Sequence, residues 1–437
     1  MSPTRVLLTA TAAGTAAALL ITLDRPGLGW PLTAALVFVL LGGRVTPVWA
    51  TLSTALFAVS AITASEWLFT LCATAGCAAA SLAVVGGRTA RGLVFGMAAV
   101  PGAAFRAIPW LAKHLKQNGA PRTRPALITL ALLTVFVPLL AGADPTFAGL
   151  LTSLLPHTSA EPVLLFTAVA LGTLGACHLL VVPVVLDDDV SGRRRIGRRE
   201  WVLPVGALVV LFAAFVAVQV ATLFGGDDHV RTTADLTYAQ YARSGFWQLL
   251  AVTVLTLAVI GTVAYLAAPE DHRPLRLLLG ALGALTLVIV ASALTRMWLY
   301  QQAYGFTVLR VLVSAFELWL GVVYLLVLAA GVRMAGAWLP RAVLACGFVA
   351  LLGLAALNPD RFIAERNVAR WQETGRIDAS YLGRLSDDAV PALLVLPDDL
   401  RVCRDHPAED DWRTWNLGRE RARRALAERP VSACSRR

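Results

Sequence analysis

Eleven runs of apolar residues, holding few or no charges, occupy most of the 437-residue chain: 6–23, 31–41, 46–64, 67–85, 127–143, 163–186, 201–224, 247–268, 275–298, 308–332 and 339–357. About 20 such residues cross the hydrocarbon core of a bilayer as a helix, which satisfies its own backbone hydrogen bonds there. The composition agrees, with 57% hydrophobic and 15% charged residues and a mean hydropathy of +0.67. Soluble domains run near a quarter charged. The expected fold is an all-α polytopic transmembrane bundle of about eleven spans, occupying 1–357. Run 31–41 is the weakest, at eleven residues. The first run has the basic start of a secretory signal at Arg5, but its length reads as an uncleaved helix.

The chain has 38 Lys+Arg against 28 Asp+Glu, a net charge of +10. In a soluble protein that balance suggests nucleic acid, yet no basic, aromatic-interleaved module accompanies it, so no nucleic-acid partner is expected. The charges sit in loops between the runs and report orientation instead. With the N-terminus in the cytoplasm, the inner segments carry 18 basic residues and the outer loops only Arg25, Arg231 and Arg243. An odd number of spans then puts the C-terminus outside a cell membrane. The expected partners are the lipid bilayer and, at the inner leaflet, anionic lipids. These would meet an amphipathic segment over 92–117 that shows Phe105, Ile108, Ala112 and Leu115 on one face and Arg106, Lys113 and Lys116 on another. Asp144-Pro145 reads as a helix cap leading a short surface helix, and Thr237-x-x-Gln240 as a capping box.

Composition shifts at Asn358. The following 80 residues hold 15 Arg and 14 acids, and are expected to form a small helical extracytoplasmic tail, 358–437. Asn358-Pro359 signals a helix start, Gly375 a stop, and a second helix is expected from about Glu409.

Several chemistries are excluded by motif. No glycine-rich phosphate loop ends in Lys, because the only lysines are Lys113 and Lys116. GxSxG and Ser-x-x-Lys are absent. The six histidines never fall at i, i+3 or i+4, so no helical metal pair forms, and no metal, cofactor or catalytic residue is assigned. Cys72, Cys77, Cys177 and Cys346 lie inside apolar runs as small fillers. Cys403 and Cys434 are the pair in the tail and the expected disulfide, because an extracytoplasmic tail sits where disulfides persist. His178 and Gln219, polar groups at membrane depth, are read first as helix–helix hydrogen bonds.

One run differs from the rest. Along 308–332, Arg310, Ser314, Glu317, Gly321 and Tyr324 recur at helical spacing and form one polar stripe. Glu317 is near mid-span, where an ionisable group is costly unless paired, neutral or facing water. Runs 275–298 and 308–332 read as an antiparallel hairpin turning near Tyr304, which sets Glu317 level with Ala291. Arg296 then lies about 7–8 Å nearer the surface at 1.5 Å per residue. Arg310, on the same helix as Glu317, is about 10 Å away along its axis. Arg296 is therefore the expected ion-pair partner, with Arg310 and Tyr300 close by.

The stretches 143–147 (ADPTF), 296–305 (RMWLYQQAYG), 316–319 (FELW) and 357–361 (LNPDR) through 389–391 (AVP) resemble an uncharacterised bacterial membrane family. It is catalogued only as a domain of unknown function, four-one-five-three, with a close relative four-one-seven-three. The resemblance covers about residues 120–395. It implies a membrane architecture and carries no activity. Three function classes stay open. A transporter-like or channel-like bundle would use the stripe around Glu317. An envelope signalling or assembly protein would dock partners on its tail. A membrane-embedded lipid-linked transferase would need carboxylates such as Asp24 in the first loop.

Overall fold

Sixteen helices and no strand occur among the described residues of the computed structural model. Those residues are 2–117, 160–184, 195–224, 246–267, 272–333, 335–397, 400 and 409–428, with positions 129, 140, 144, 146–147 and 149–150. The first helices are α1 (Pro3–Leu20), α2 (Gly29–Leu41), α3 (Pro47–Ile62), α4 (Glu66–Val85), α5 (Ala90–Met97) and α6 (Ala99–Gln117). Then come α7 (Ala160–Val181), α8 (Arg198–Phe224), α9 (Phe246–Leu266), α10 (His272–Tyr304), α11 (Val308–Arg333) and α12 (Leu339–Leu357). The last are α13 (Pro359–Thr374), α14 (Ala379–Leu382), α15 (Val390–Leu393) and α16 (Leu417–Glu428).

Ten of the eleven apolar runs fall on helices, and run 127–143 lies mostly outside the described residues. Among the described residues seven helices are long and apolar enough to cross a membrane: α4 and α7 through α12. The bent pair α5–α6 makes an eighth if it is one broken span, and α2 and α3 are shorter apolar helices. The protein is thus an all-α, multi-pass membrane bundle. The capping box at Thr237 and the Cys403–Cys434 pair also lie outside the described residues. Asp144 accepts from the Thr146 amide at 2.8 Å, the cap its sequence signals. The Thr146 hydroxyl and amide bonds hold its carboxyl below the usual value.

The chain divides into two compact units along lines other than the composition break at Asn358. One contains Met1–Asp187, Gly383–Leu394 and Arg401–Arg437, and the other Asp188–Leu382 with Val395–Leu400.

The first unit is built on close helix approach. A Cβ on Gly14 of α1 would lie 2.7 Å from the Phe166 carbonyl oxygen of α7, and one on Gly175 of α7 would lie 2.7 Å from that of Val100 in α6. Only small residues allow such contact, and packing of this kind replaces the hydrophobic drive that lipid removes. The same close approach shapes 92–117. The segment is two helices bent by 57°, and its inward face is Ala103, Ala104, Ala107 and Leu111. Phe105 is 68% exposed, because a ring at that contact would hold α6 away from Gly175. At the bend, Ser81 of α4 donates to the Gly96 carbonyl at 2.6 Å and accepts from the Val100 amide at 3.0 Å, satisfying backbone groups that the break frees.

The end of the chain folds onto this unit. Asn416 donates to the Ser60 and Thr63 carbonyls, both at 2.7 Å, capping the last turn of α3. Asp388 accepts from the Ala64 amide at 2.6 Å. Arg413 donates to the Leu19 carbonyl at 2.9 Å. The final helix begins at Leu417 and not near Glu409. Asp411 instead accepts from the amides of Arg413 and Thr414 at 2.8 and 2.9 Å, forming a turn that competes with helix. The Arg413 side chain, followed by these amides, lowers the Asp411 carboxyl to about 2.

In the second unit α8 through α11 surround a core that includes Trp201, Ile260, Leu282, Ile289 and Tyr324. Helix α13 clamps the turn between α10 and α11. Asn367 donates to and accepts from the Phe306 backbone at 2.9 and 3.1 Å, and also donates to the Ile363 carbonyl. Arg370 donates to the carbonyls of Gln302 and Ala303, and the Tyr381 hydroxyl accepts from the Val308 amide at 2.7 Å.

Candidate functional site

The polar stripe of α11 forms as its spacing implies. Its Gly321 would carry a Cβ 3.5 Å from Val290 of α10, and Tyr324 donates to the Thr253 carbonyl of α9 at 2.6 Å. This face of α11 is therefore turned toward α9 and α10. Glu317 lies in its middle with 0% exposure, and neither carboxyl oxygen has a hydrogen-bond partner.

The expected pairing of Arg296 with Glu317 is not formed. Arg296 donates to Gln219 Oε1 of α8 at 2.7 Å, and Ser292 reaches the same oxygen at 3.3 Å. The reason is angular. Contacts of Gly321 with Val290 and of Ser314 with Gln301 place Glu317 at about the depth of Arg296 itself, nearer the turn than expected, so depth does not keep the two apart. Arg296 leaves α10 on the side that meets α8, where Gln219 supplies an acceptor. Gln219 makes the interhelical bond its sequence position suggested.

Arg310 is also committed elsewhere. Its guanidinium lies 4.4 Å from the Tyr300 ring centroid, donates to the Tyr300 hydroxyl at 3.3 Å, and bonds the Tyr304 and Gly305 carbonyls. It closes the α10–α11 turn. Ser314 donates to the Arg310 carbonyl at 2.9 Å and accepts from Gln301 at 3.0 Å. Of the six residues singled out on the sequence, Arg310, Tyr300 and Ser314 therefore cluster at the turn, Tyr324 anchors to α9, Arg296 joins α8, and Glu317 stands alone. Gln301 and Asn367 were missed. Asn367 was legible only as a polar residue on the apolar face of α13, beside Ile363, Ala364 and Val368.

On another side of α11 lies an apolar cavity of about 890 Å³ between α10, α11 and α12. Leu294, Trp298, Leu318, Trp319 and Gly353 line it, with Gln301, Ser314 and Phe362 toward the turn. The Trp319 indole N–H, buried in this wall, has no acceptor. Among the described residues no three His, Cys, Asp or Glu side chains are placed to hold a metal ion. The arrangement offers one isolated acid, two arginines hydrogen-bonded to other partners, and an apolar cavity on another side of the same helix.

No curated protein and no solved structure matches the chain. The family model described as Domain of unknown function (DUF4153) matches residues 51–396. That span includes every helix of the site and the α13 clamp, and it is well over half of the chain, so the protein belongs to this family of unknown function.

Proposed function

We propose that the protein is a transporter-like bundle in which Glu317 takes up and gives back a proton as the site closes and opens. The single observation that carries this reading is the buried carboxyl with both oxygens unpartnered. An ionised carboxylate there costs several kcal/mol with no cation to offset it. The neutral acid is the form that fits the site as built. A structural acid is held by partners, whereas one kept without them is free to change charge when water reaches it. Arg296 and Arg310 stay with Gln219 and Tyr300, so neither neutralises it. The neighbouring apolar cavity favours an apolar or amphipathic cargo over a hydrated ion. The basic asymmetry of the loops supports a cytoplasmic N-terminus, and exposed Arg106 and Lys113 of α6 support contact with anionic lipid head groups.

The test is proton entry into pyranine-loaded proteoliposomes driven by a valinomycin potassium potential. Wild type is expected to exceed protein-free vesicles several-fold, and Glu317→Gln to return to their rate. Equal rates in wild type, variant and empty vesicles would refute the reading.

A further inference from the structure

The first unit contains a second, chemically different pocket of about 270 Å³. It lies where the turn between α3 and α4 meets the loop before α2 and the end of the chain. Thr63 and Ser65 line it, at 2% and 1% exposure, and neither hydroxyl has a hydrogen-bond partner. Ser65 is the N-cap residue of α4, yet its side chain makes no cap bond, although that is the usual role of a serine there. Two buried hydroxyls left open on one small pocket are costly unless something completes them.

The charges around the pocket say what that something is. Asp24, Glu66 and Asp387 line it together with Arg25 and Arg419. Both arginines are drawn to Asp410, at 2.8 and 3.1 Å, and Arg419 also donates to the Pro26 carbonyl at 3.0 Å. Three carboxylates line the pocket against two guanidinium groups that Asp410 already holds, so its lining is acidic. Asp24 and Glu66 form no ion pair or side-chain hydrogen bond among the described residues. The side chain of Phe69 adds an aromatic surface, which also favours a cation. Among the described residues the acids do not converge on one metal ion, which favours a molecular cation over a bare one.

We propose that this pocket binds a small hydroxylated primary amine, of the amino-alcohol or amino-sugar class. The ammonium group meets Asp24, Glu66 and the Phe69 ring. The ligand's hydroxyl groups meet Thr63 Oγ1 and Ser65 Oγ. This site is independent of the transport reading, since it shares no residue with the stripe around Glu317.

The test is calorimetric titration of the full-length protein in detergent with glucosamine and with ethanolamine, against glucose and N-acetylglucosamine as uncharged controls. Saturable binding of at least one amine, with none of either control, is expected. Thr63→Val and Ser65→Ala should each weaken it about tenfold, with an unchanged melting temperature because neither hydroxyl holds the fold. Asp24→Asn, at an exposed rim position, should weaken it by a similar factor. Water alone would satisfy the hydroxyls without selecting amines. Failure of both amines to bind, equal binding of glucose, or full affinity in both the Thr63→Val and Asp24→Asn variants would overturn the proposal.

Discussion

Substituting Glu317 with leucine removes a buried polar group that has no partner, whereas substituting Arg296 with leucine removes the 2.7 Å interhelical bond to Gln219. Loss of one member of a buried bond typically costs about 1–2 kcal/mol in a membrane bundle, and loss of an unpaired acid costs nothing comparable. Glu317→Leu should therefore keep or raise the detergent melting temperature, while Arg296→Leu lowers it. A fall for Glu317→Leu as large as for Arg296→Leu would show a partner that the geometry lacks. Gly305 gives a second residue-scale expectation. Its φ is +84°, and a Cβ there would lie 2.5 Å from Asn367 Oδ1, so Gly305→Ala combines a left-handed backbone penalty of about 1–2 kcal/mol with a clash at the clamp. Wild-type stability in that variant would contradict the packing. Glu317 was conspicuous in the sequence because it is the one acid in a long apolar run. The partner of Arg296 was not legible, since Gln219 lies 77 positions away on a helix that a two-helix depth argument leaves out.

Among the elements, α13 shows what local signals do and do not carry. Its start at Asn358-Pro359 and its stop at Gly375, with φ +69°, both follow from residue chemistry. That it grips the α10–α11 turn does not, because the grip is made by a few side-chain bonds to main-chain groups far away in sequence. Asn367→Leu should release that grip and speed amide exchange at Phe306 and Val308. Unchanged protection there would place the clamp elsewhere. Helix α6 was legible only in part for a related reason: amphipathic spacing identifies two faces, but the small residues of α7 decide which side packs on the bundle. The turn at Asp411 carries a pH dependence with a definite sign. Its folded carboxyl, at about 2, lies below the usual 3.8, so its contribution is complete above about pH 4 and is lost as pH falls toward 2. Protection of the Arg413 and Thr414 amides should fall over that window in wild type. In Asp411→Ala it should be low and unresponsive to pH throughout.

At the scale of the whole molecule, the membrane bundle was readable because hydrocarbon forces every spanning segment into an apolar helix. The division into two compact units was not, since it depends on which helices exchange small-residue contacts. The loop arginines make one further expectation for the chain in its membrane. Alkaline phosphatase fused after Asn358 should be active and fused after Arg199 inactive, and the reverse pattern would invert the orientation. The claim that matters most concerns Glu317, and covalent chemistry in native membranes addresses it directly. Dicyclohexylcarbodiimide attacks neutral carboxyl groups in apolar surroundings, while a water-soluble carbodiimide reaches only hydrated ones. Peptide mapping of the intact, membrane-embedded protein should find Glu317 modified by the apolar reagent and spared by the soluble one. Labelling by the soluble reagent, or none by either, would contradict a buried, unpaired acid at the centre of this bundle.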